Sequence, residues 1–231
     1  MSTGLGVVGA TVSRGSPVTL ADTTPIARLT EESEVVVVPA ASPYRDVRAL
    51  LDGWRTAPGR TVVGGGSTVG GPDHLATMLL AEGSGTAPPS VRYRSYDGGG
   101  PLLAALLRGE VTFAVSGFGE FADQVGSGDL RVLAVTSRDR VPGLGVPTLR
   151  ESGVDVEFSN WRGLVAPPGL SDDARAELGR AVAEMRATPE WQRTLQANGW
   201  DDAYLPGPEF ARFTAAETTR VGHILGELGL G

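Results

Sequence analysis

Three glycine-rich stretches hold the residues best suited to chemistry. The first is residues 64–72, GGGSTVGGP, followed at once by Asp73 and His74. The second is Asp97-Gly98-Gly99-Gly100, and the third opens on Ser116-Gly117. Each follows a short apolar or β-branched run and precedes a helix-forming one, so each reads as a turn from the end of a strand into a helix. Backbone N–H groups at such a place have no partner inside the helix, the helix dipole adds partial positive charge, and glycine lets a ligand come close. A carboxylate can be held this way without any lysine. The candidate binding set is therefore Gly64, Gly66 and Gly70, then Asp97, Gly98, Gly99 and Gly100, then Gly117. The hydroxyls of Ser67, Thr68 and Ser116, with Asp73 and His74, supply further hydrogen-bonding groups.

Each feature also has a plainer reading. Glycine turns are common connectors between strands and helices. Asp73 begins a helix well, where the dipole favours a carboxylate. His74 fits a packing or capping residue, and Trp161 a buried aromatic. Arg162 reads as solvated or ion-paired, and His223 as a surface residue on the last helix.

Enzyme motifs fail on inspection. Residues 64–71 do not fit GxGxxG, because the third glycine would fall at Val69, and the Walker lysine is missing. No GxSxG occurs: Val69 stands two residues after Ser67, and Ala114 two before Ser116. The chain has no cysteine and no lysine, its 20 basic residues all being arginine. Thiol nucleophiles, disulfides, thiolate metal sites and Schiff-base chemistry are thereby excluded. The two histidines, His74 and His223, are far apart, and no metal or cofactor site is expected. A net charge of −7 with scattered arginines argues against nucleic acid as a partner. No run approaches the roughly 18 apolar residues of a membrane span, so direct membrane insertion is not expected. The N-terminus reads as lacking a signal peptide: the weakly apolar residues 4–12 are too short and no basic residue precedes them.

The elements that must carry the turns alternate between strand and helix. That order points to α/β architecture with a mostly parallel sheet. The 231 residues suffice for two small lobes or one large domain, and 41% hydrophobic content suffices for a core. Residues 25–30 and 34–39 read as two strands, the second carrying four consecutive valines suited to burial on both faces. Ser42 and Pro43 fit the cap and first position of a helix whose apolar spacing is Val47, Leu50, Leu51, Trp54. Three strand–turn–helix units follow: 61–63 to 73–82, 91–96 to 101–108, and 111–115 to 120–125. Residues 130–136 make a further buried strand. Beyond them Ser171 caps a helix with the apolar stripe Ala174, Leu178, Ala181, Val182, Met185. Thr188-Pro189 opens another, ended by Asn198-Gly199, and Phe210, Phe213, Val221, Ile224, Leu225 and Leu228 line a last one.

Six segments carry a wider resemblance: TPIARL (24–29), VVGGGSTVGGPDHL (62–75), YDGGGPLLAALL (96–107), LRVLAVTS (130–137), VPTL (146–149) and NWRGLVAPP (160–168). Their order and spacing resemble those of the extracytoplasmic substrate-binding receptors of tripartite tricarboxylate transporters. The resemblance implies a two-lobed type II periplasmic-binding-protein-like fold, each lobe a mostly parallel sheet flanked by helices. Residues 34–160 would form the second lobe, bearing the glycine turns. Residues 1–33 with 161–231 would form the first lobe, incomplete. It implies a receptor rather than an enzyme, without cofactor, that holds a small carboxylate of the di- or tricarboxylate or acidic amino acid type. Such a receptor is extracytoplasmic and passes its ligand to membrane permease subunits. Family members usually begin with an export signal, a first strand and a glycine-rich loop. This chain starts after them, with residues 1–10 resembling a later strand, so the ligand would be gripped from one lobe only. Two other readings stay open: an α/β enzyme acting on a small phosphorylated or acyl substrate through Asp73 and His74, and a truncated remnant that binds nothing.

Overall fold

Val35, Val36, Val37 and Val38 are all fully buried, and the sheet around them explains why. They belong to strand β2 (Thr24–Pro39). On one side β2 pairs antiparallel with β5 (Phe113–Gly117), Val36 opposite Val115 and Val37 opposite Ala114. On the other it pairs antiparallel with β6 (Leu130–Val135), with a bulge between Val36 and Val37. All four are buried whichever face they point to, so every side-chain direction is apolar and β-branched residues fit throughout. The computed structural model describes residues 2–230; Met1 and Gly231, the ends assigned above to the first lobe, lie outside the described residues.

The chain divides into two compact units, Ser33–Ser159 and a discontinuous one formed by Met1–Glu32 with Asn160–Gly231. In the first of these, β5 continues parallel to β3 (Val62–Gly65), and β3 parallel to β4 (Arg92–Ser95). Strands β3, β4, β5 and β6 therefore run one way, with β2 inserted against them. The mostly parallel α/β sheet is thus present here, and its four like-directed strands end at one edge. That shared edge decides where the glycine turns lie.

Helix α2 (Val47–Thr56) buries Val47, Leu50, Leu51 and Trp54, as the spacing predicts. Its cap is Asp46, which accepts from the Ala49 N–H at 2.8 Å, and not Ser42. The Ser42 hydroxyl is used earlier, accepting from the Tyr44 N–H within a turn. Helices α3 (Pro72–Gly83), α4 (Gly99–Leu107) and α5 (Ala122–Ser127) complete the three crossover units. Helix α4 starts two residues before the expected Pro101. Proline is tolerated there because N–H groups of the first turn have no helical acceptor.

The discontinuous unit holds β1 (Ser2–Gly4), β7 (Ser159–Ala166), the first half of β2 and β8 (Asp201–Pro206). Its ladders β1–β7 and β2–β8 are antiparallel. Three expectations change here. Residues 25–39 form one continuous strand: no glycine or internal proline interrupts it, and the polar Glu31-Glu32-Ser33 mark a change of pairing partner, from β8 to β5 and β6. Of the stretch 1–10, expected to resemble a strand, only Ser2–Gly4 is strand and the rest of the described residues is helical, α1 (Leu5–Ser13) burying Leu5 and Val8 against α8 (Gly207–Glu227). And β8 lies where the sequence signals no strand, because in DDAYLP only Ala203 is buried.

The expected caps of α6 (Asp172–Arg186) and α7 (Pro189–Asn198) are in place: Ser171 accepts from the Ala174 N–H, and Thr188 from the Trp191 N–H. The apolar stripe of α6 is buried only at Val182, and Leu178 remains 41% exposed. Around α8, Trp161 meets Phe210 and Phe213 edge-on at 5.6 and 5.3 Å. The Trp161 Nε1–H donates to Glu217, which also accepts from Arg220. Trp161 is thus a core residue, and Arg162 is exposed. No helix among the described residues is long and apolar enough to cross a membrane.

Trp54 offers a sharp test of this core. It is fully buried, edge-on to Phe113 at 5.2 Å, and its Nε1–H has no hydrogen-bond partner among the described residues. Trp54→Ala should cost about 3–5 kcal/mol. Trp54→Phe should cost clearly less, because it also removes a buried donor left unsatisfied. Urea unfolding of the two variants measures the difference.

Candidate functional site: an amide-lined sheet edge

The turns after β3 and β4 touch backbone to backbone. The Tyr96 N–H donates to the Gly65 carbonyl at 2.8 Å, and the Gly98 N–H to the Gly66 carbonyl at 3.1 Å. A Cβ on Gly66 would stand 3.0 Å from the carbonyl carbon of Gly98, so a side chain there would crowd the second turn. Gly98 itself has φ of +89°, a conformation that disfavours other residues. The turn after β5 joins through Ser116, whose hydroxyl faces the Asp73 carboxylate and favours its charged form.

Asp73 organises this edge from beneath. It is buried at the start of α3 and accepts from the Gly66 N–H at 2.7 Å. Ser67 Oγ accepts from the Asp73 N–H at 3.1 Å, and the Ser67 and Ser116 hydroxyls lie close enough to the carboxylate to favour its charged form. Burial raises its pKa above the usual aspartate value, and these hydrogen bonds oppose the rise. His74 Nδ1 accepts from the Gly70 N–H at 3.3 Å, and its ring meets Tyr93 edge-on at 4.9 Å. Burial lowers its pKa to about 4, so the ring is neutral at pH 7. The Tyr93 hydroxyl donates to the Ser67 carbonyl at 2.8 Å. Burial, and then the charge of Asp73, push that phenol upward.

The structure therefore brings the three turns to one edge but divides their residues into two groups. Gly64 packs inward, where a Cβ would strike Leu102. The amides of Gly66, Gly70 and Gly98 and the side chains of Asp73 and His74 are engaged within the protein, as are the hydroxyls of Ser67 and Ser116. Gly117 ends β5 opposite Glu34. Left over are the N–H groups of Ser67, Thr68, Val69, Asp97, Gly99 and Gly100, which have no acceptor among the described residues. Those of Gly99 and Gly100 open α4, where the dipole favours an anion. Thr68, Asp97 and Gly100 are exposed. Sequence reasoning missed Tyr93; its one signal is an aromatic between Arg92 and Arg94 on an otherwise polar edge strand.

Comparison with known proteins fits this architecture. A TctC solute-binding protein from Polaromonas, solved without ligand, superposes with a TM-score of 0.81 at 25% identity, over 99% of this chain and 77% of that one. MatC from Rhodopseudomonas palustris, solved with bound malate, superposes with a TM-score of 0.79 at 21% identity, over 97% and 78%. The fold is that of the periplasmic solute-binding proteins. The sequence profile described as "Tripartite tricarboxylate transporter family receptor" matches residues 16–230, and the chain belongs to that family. A relative from Pseudomonas sp. strain P51, the UPF0065 protein in the tcbD-tcbE intergenic region, is 30% identical over 210 residues. The alignment takes in 88% of this chain and 58% of that relative's length.

His74 makes stability depend on pH. Its folded pKa, about 4, lies below the unfolded value of 6.5. Its contribution is complete above pH 6.5 and is lost as the pH falls toward 4, on the order of 3 kcal/mol in all. Asp73, with a raised folded pKa, acts in the opposite sense, its contribution being largest in acid. The comparison is therefore between the wild-type chain and His74→Gln, which keeps Asp73. Urea midpoints from pH 7 to pH 4 should fall more steeply for the wild type.

Proposed function

We propose that this chain is the ligand-holding part of an extracytoplasmic solute receptor, and that its ligand is a small carboxylate of the di- or tricarboxylate or acidic amino acid type. The acid sits on the free amides of residues 67–69, 97, 99 and 100. It is released unchanged to membrane permease subunits. The observation that carries the reading is the set of unpaired N–H donors gathered where the parallel strands end, the edge at which open α/β sheets bind their ligands. Asp73 and His74, the two groups an acid–base mechanism would need, are engaged inside the protein. Family membership and the malate held by MatC support the ligand class.

Calorimetric titration with L-malate, succinate, citrate and L-glutamate tests the reading, and no heat with any of them overturns it. Gly100 refines the test, because a side chain there meets open space. Gly100→Ala should leave affinity within about threefold. Gly100→Asp places a competing carboxylate on the same amides and should weaken the best-binding acid at least tenfold, a loss of about 1.4 kcal/mol.

A further inference from the structure

The turn after β5 adds a charged group that the three-turn seat does not need. Residues 118–120 form a single 3₁₀ turn that carries Glu120 to the start of α4. A Cβ built on Gly99 would stand 1.7 Å from Glu120 Oε2 and 2.4 Å from its carboxyl carbon. The carboxylate thus rests on the bare Cα of Gly99. From standard bond lengths and angles, Oε2 is within roughly 4 Å of the Gly99 nitrogen. Glu120 is exposed, and its carboxylate takes part in no ion pair or hydrogen bond among the described residues. It stands beside two free amides without closing on either.

We infer that Glu120 is a specificity-determining residue of this site, restricting the ligand to acids that carry a cationic nitrogen beside the carboxylate, the α-amino acids. The inference rests on the carboxylate reading above. An acid seated on the Gly99 and Gly100 amides brings its own negative charge close to that of Glu120, and two carboxylates so placed repel. An ammonium on the adjacent carbon lies between them and turns the repulsion into a charge-assisted hydrogen bond. The chain has no lysine that could neutralise Glu120 instead. A purely structural role is the alternative: a carboxylate near the N-terminus of α4 stabilises the helix through its dipole. That role would not distinguish one ligand from another.

The test pairs acids that differ only by the ammonium group: L-glutamate against glutarate, and L-aspartate against succinate. Affinities are measured by calorimetry for the wild-type chain, Glu120→Gln and Gly99→Ala, with circular dichroism melts to confirm folding. The wild type should favour the amino acid at least tenfold in at least one pair. Glu120→Gln should remove most of that preference, weakening the amino acid and strengthening its partner. Gly99→Ala, whose methyl would meet Glu120 from Oε2 back to its Cβ at 2.8 Å and so displaces the residue with its turn, should move selectivity the same way. No preference in the wild type, or a shift of both partners by one factor in Glu120→Gln, overturns the inference and leaves the carboxylate reading standing. Failure of every acid to bind the wild type overturns both.

Discussion

The candidate site depends on one internal contact, the Asp73 carboxylate closed on the Gly66 amide. An amide at a strand end would otherwise be open to any anion. Here the protein supplies the carboxylate itself, buried and faced by two serine hydroxyls. The bond links the start of α3 to the first turn, and Ser116 extends it to the end of β5. Burying a carboxylate is costly, and the Gly66 amide offsets part of that cost. With Gly66 pinned, its carbonyl is fixed to accept from Gly98, and the second turn takes its register from the first. The free amides are therefore those that remain after Asp73, His74 and Tyr93 have shaped the loops.

This division corrects a common intuition about polar residues near a pocket. Asp73, His74, Ser67 and Ser116 look like ligand contacts because they are polar and clustered. The hydrogen bonds of Asp73, His74 and Ser67 run instead to the backbone of the candidate seat, and Ser116 faces the Asp73 carboxylate. The exposed donors are main-chain groups at positions such as Thr68, Val69 and Gly100, whose side chains carry no obvious signal.

How far the sequence discloses the structure follows from the same physics. The strand–turn–helix units are legible because local signals agree: β-branched runs, glycine turns and helical spacing fall in one order. The valine run discloses burial on both faces. The family resemblance, carried by six ordered segments, is legible too, since it rests on many positions together. Illegible features depend on distant partners. The polar interval in β2 looks like a break until β8 is known to pair with its first half, and β8 has too little apolar character to announce itself. Asp46 and Ser42 are equally good caps by type, and only the path of the chain decides between them. Glu120 meets Gly99 across 21 residues of sequence, a contact that no local pattern encodes.

A seat made of amides differs from one made of lysine or arginine in how its affinity is composed. A buried cation must first be stripped of water, and the ion pair must recover that cost before it contributes. Unpaired N–H groups at an exposed helix start bear little of that penalty and require no side chain to be ordered, since the hydrogen bonds beneath already fix the backbone. Each such bond contributes modestly, so affinity is built from several, and the loss of a few in a small movement is enough to release the ligand. For the receptor role proposed above, in which an acid is taken up and surrendered intact, that graded grip would suit better than a single strong charge. On the proposed reading, a carboxylate such as Glu120 at the rim of such a seat would act on selectivity out of proportion to its size, because the net binding it modifies would itself be a small sum.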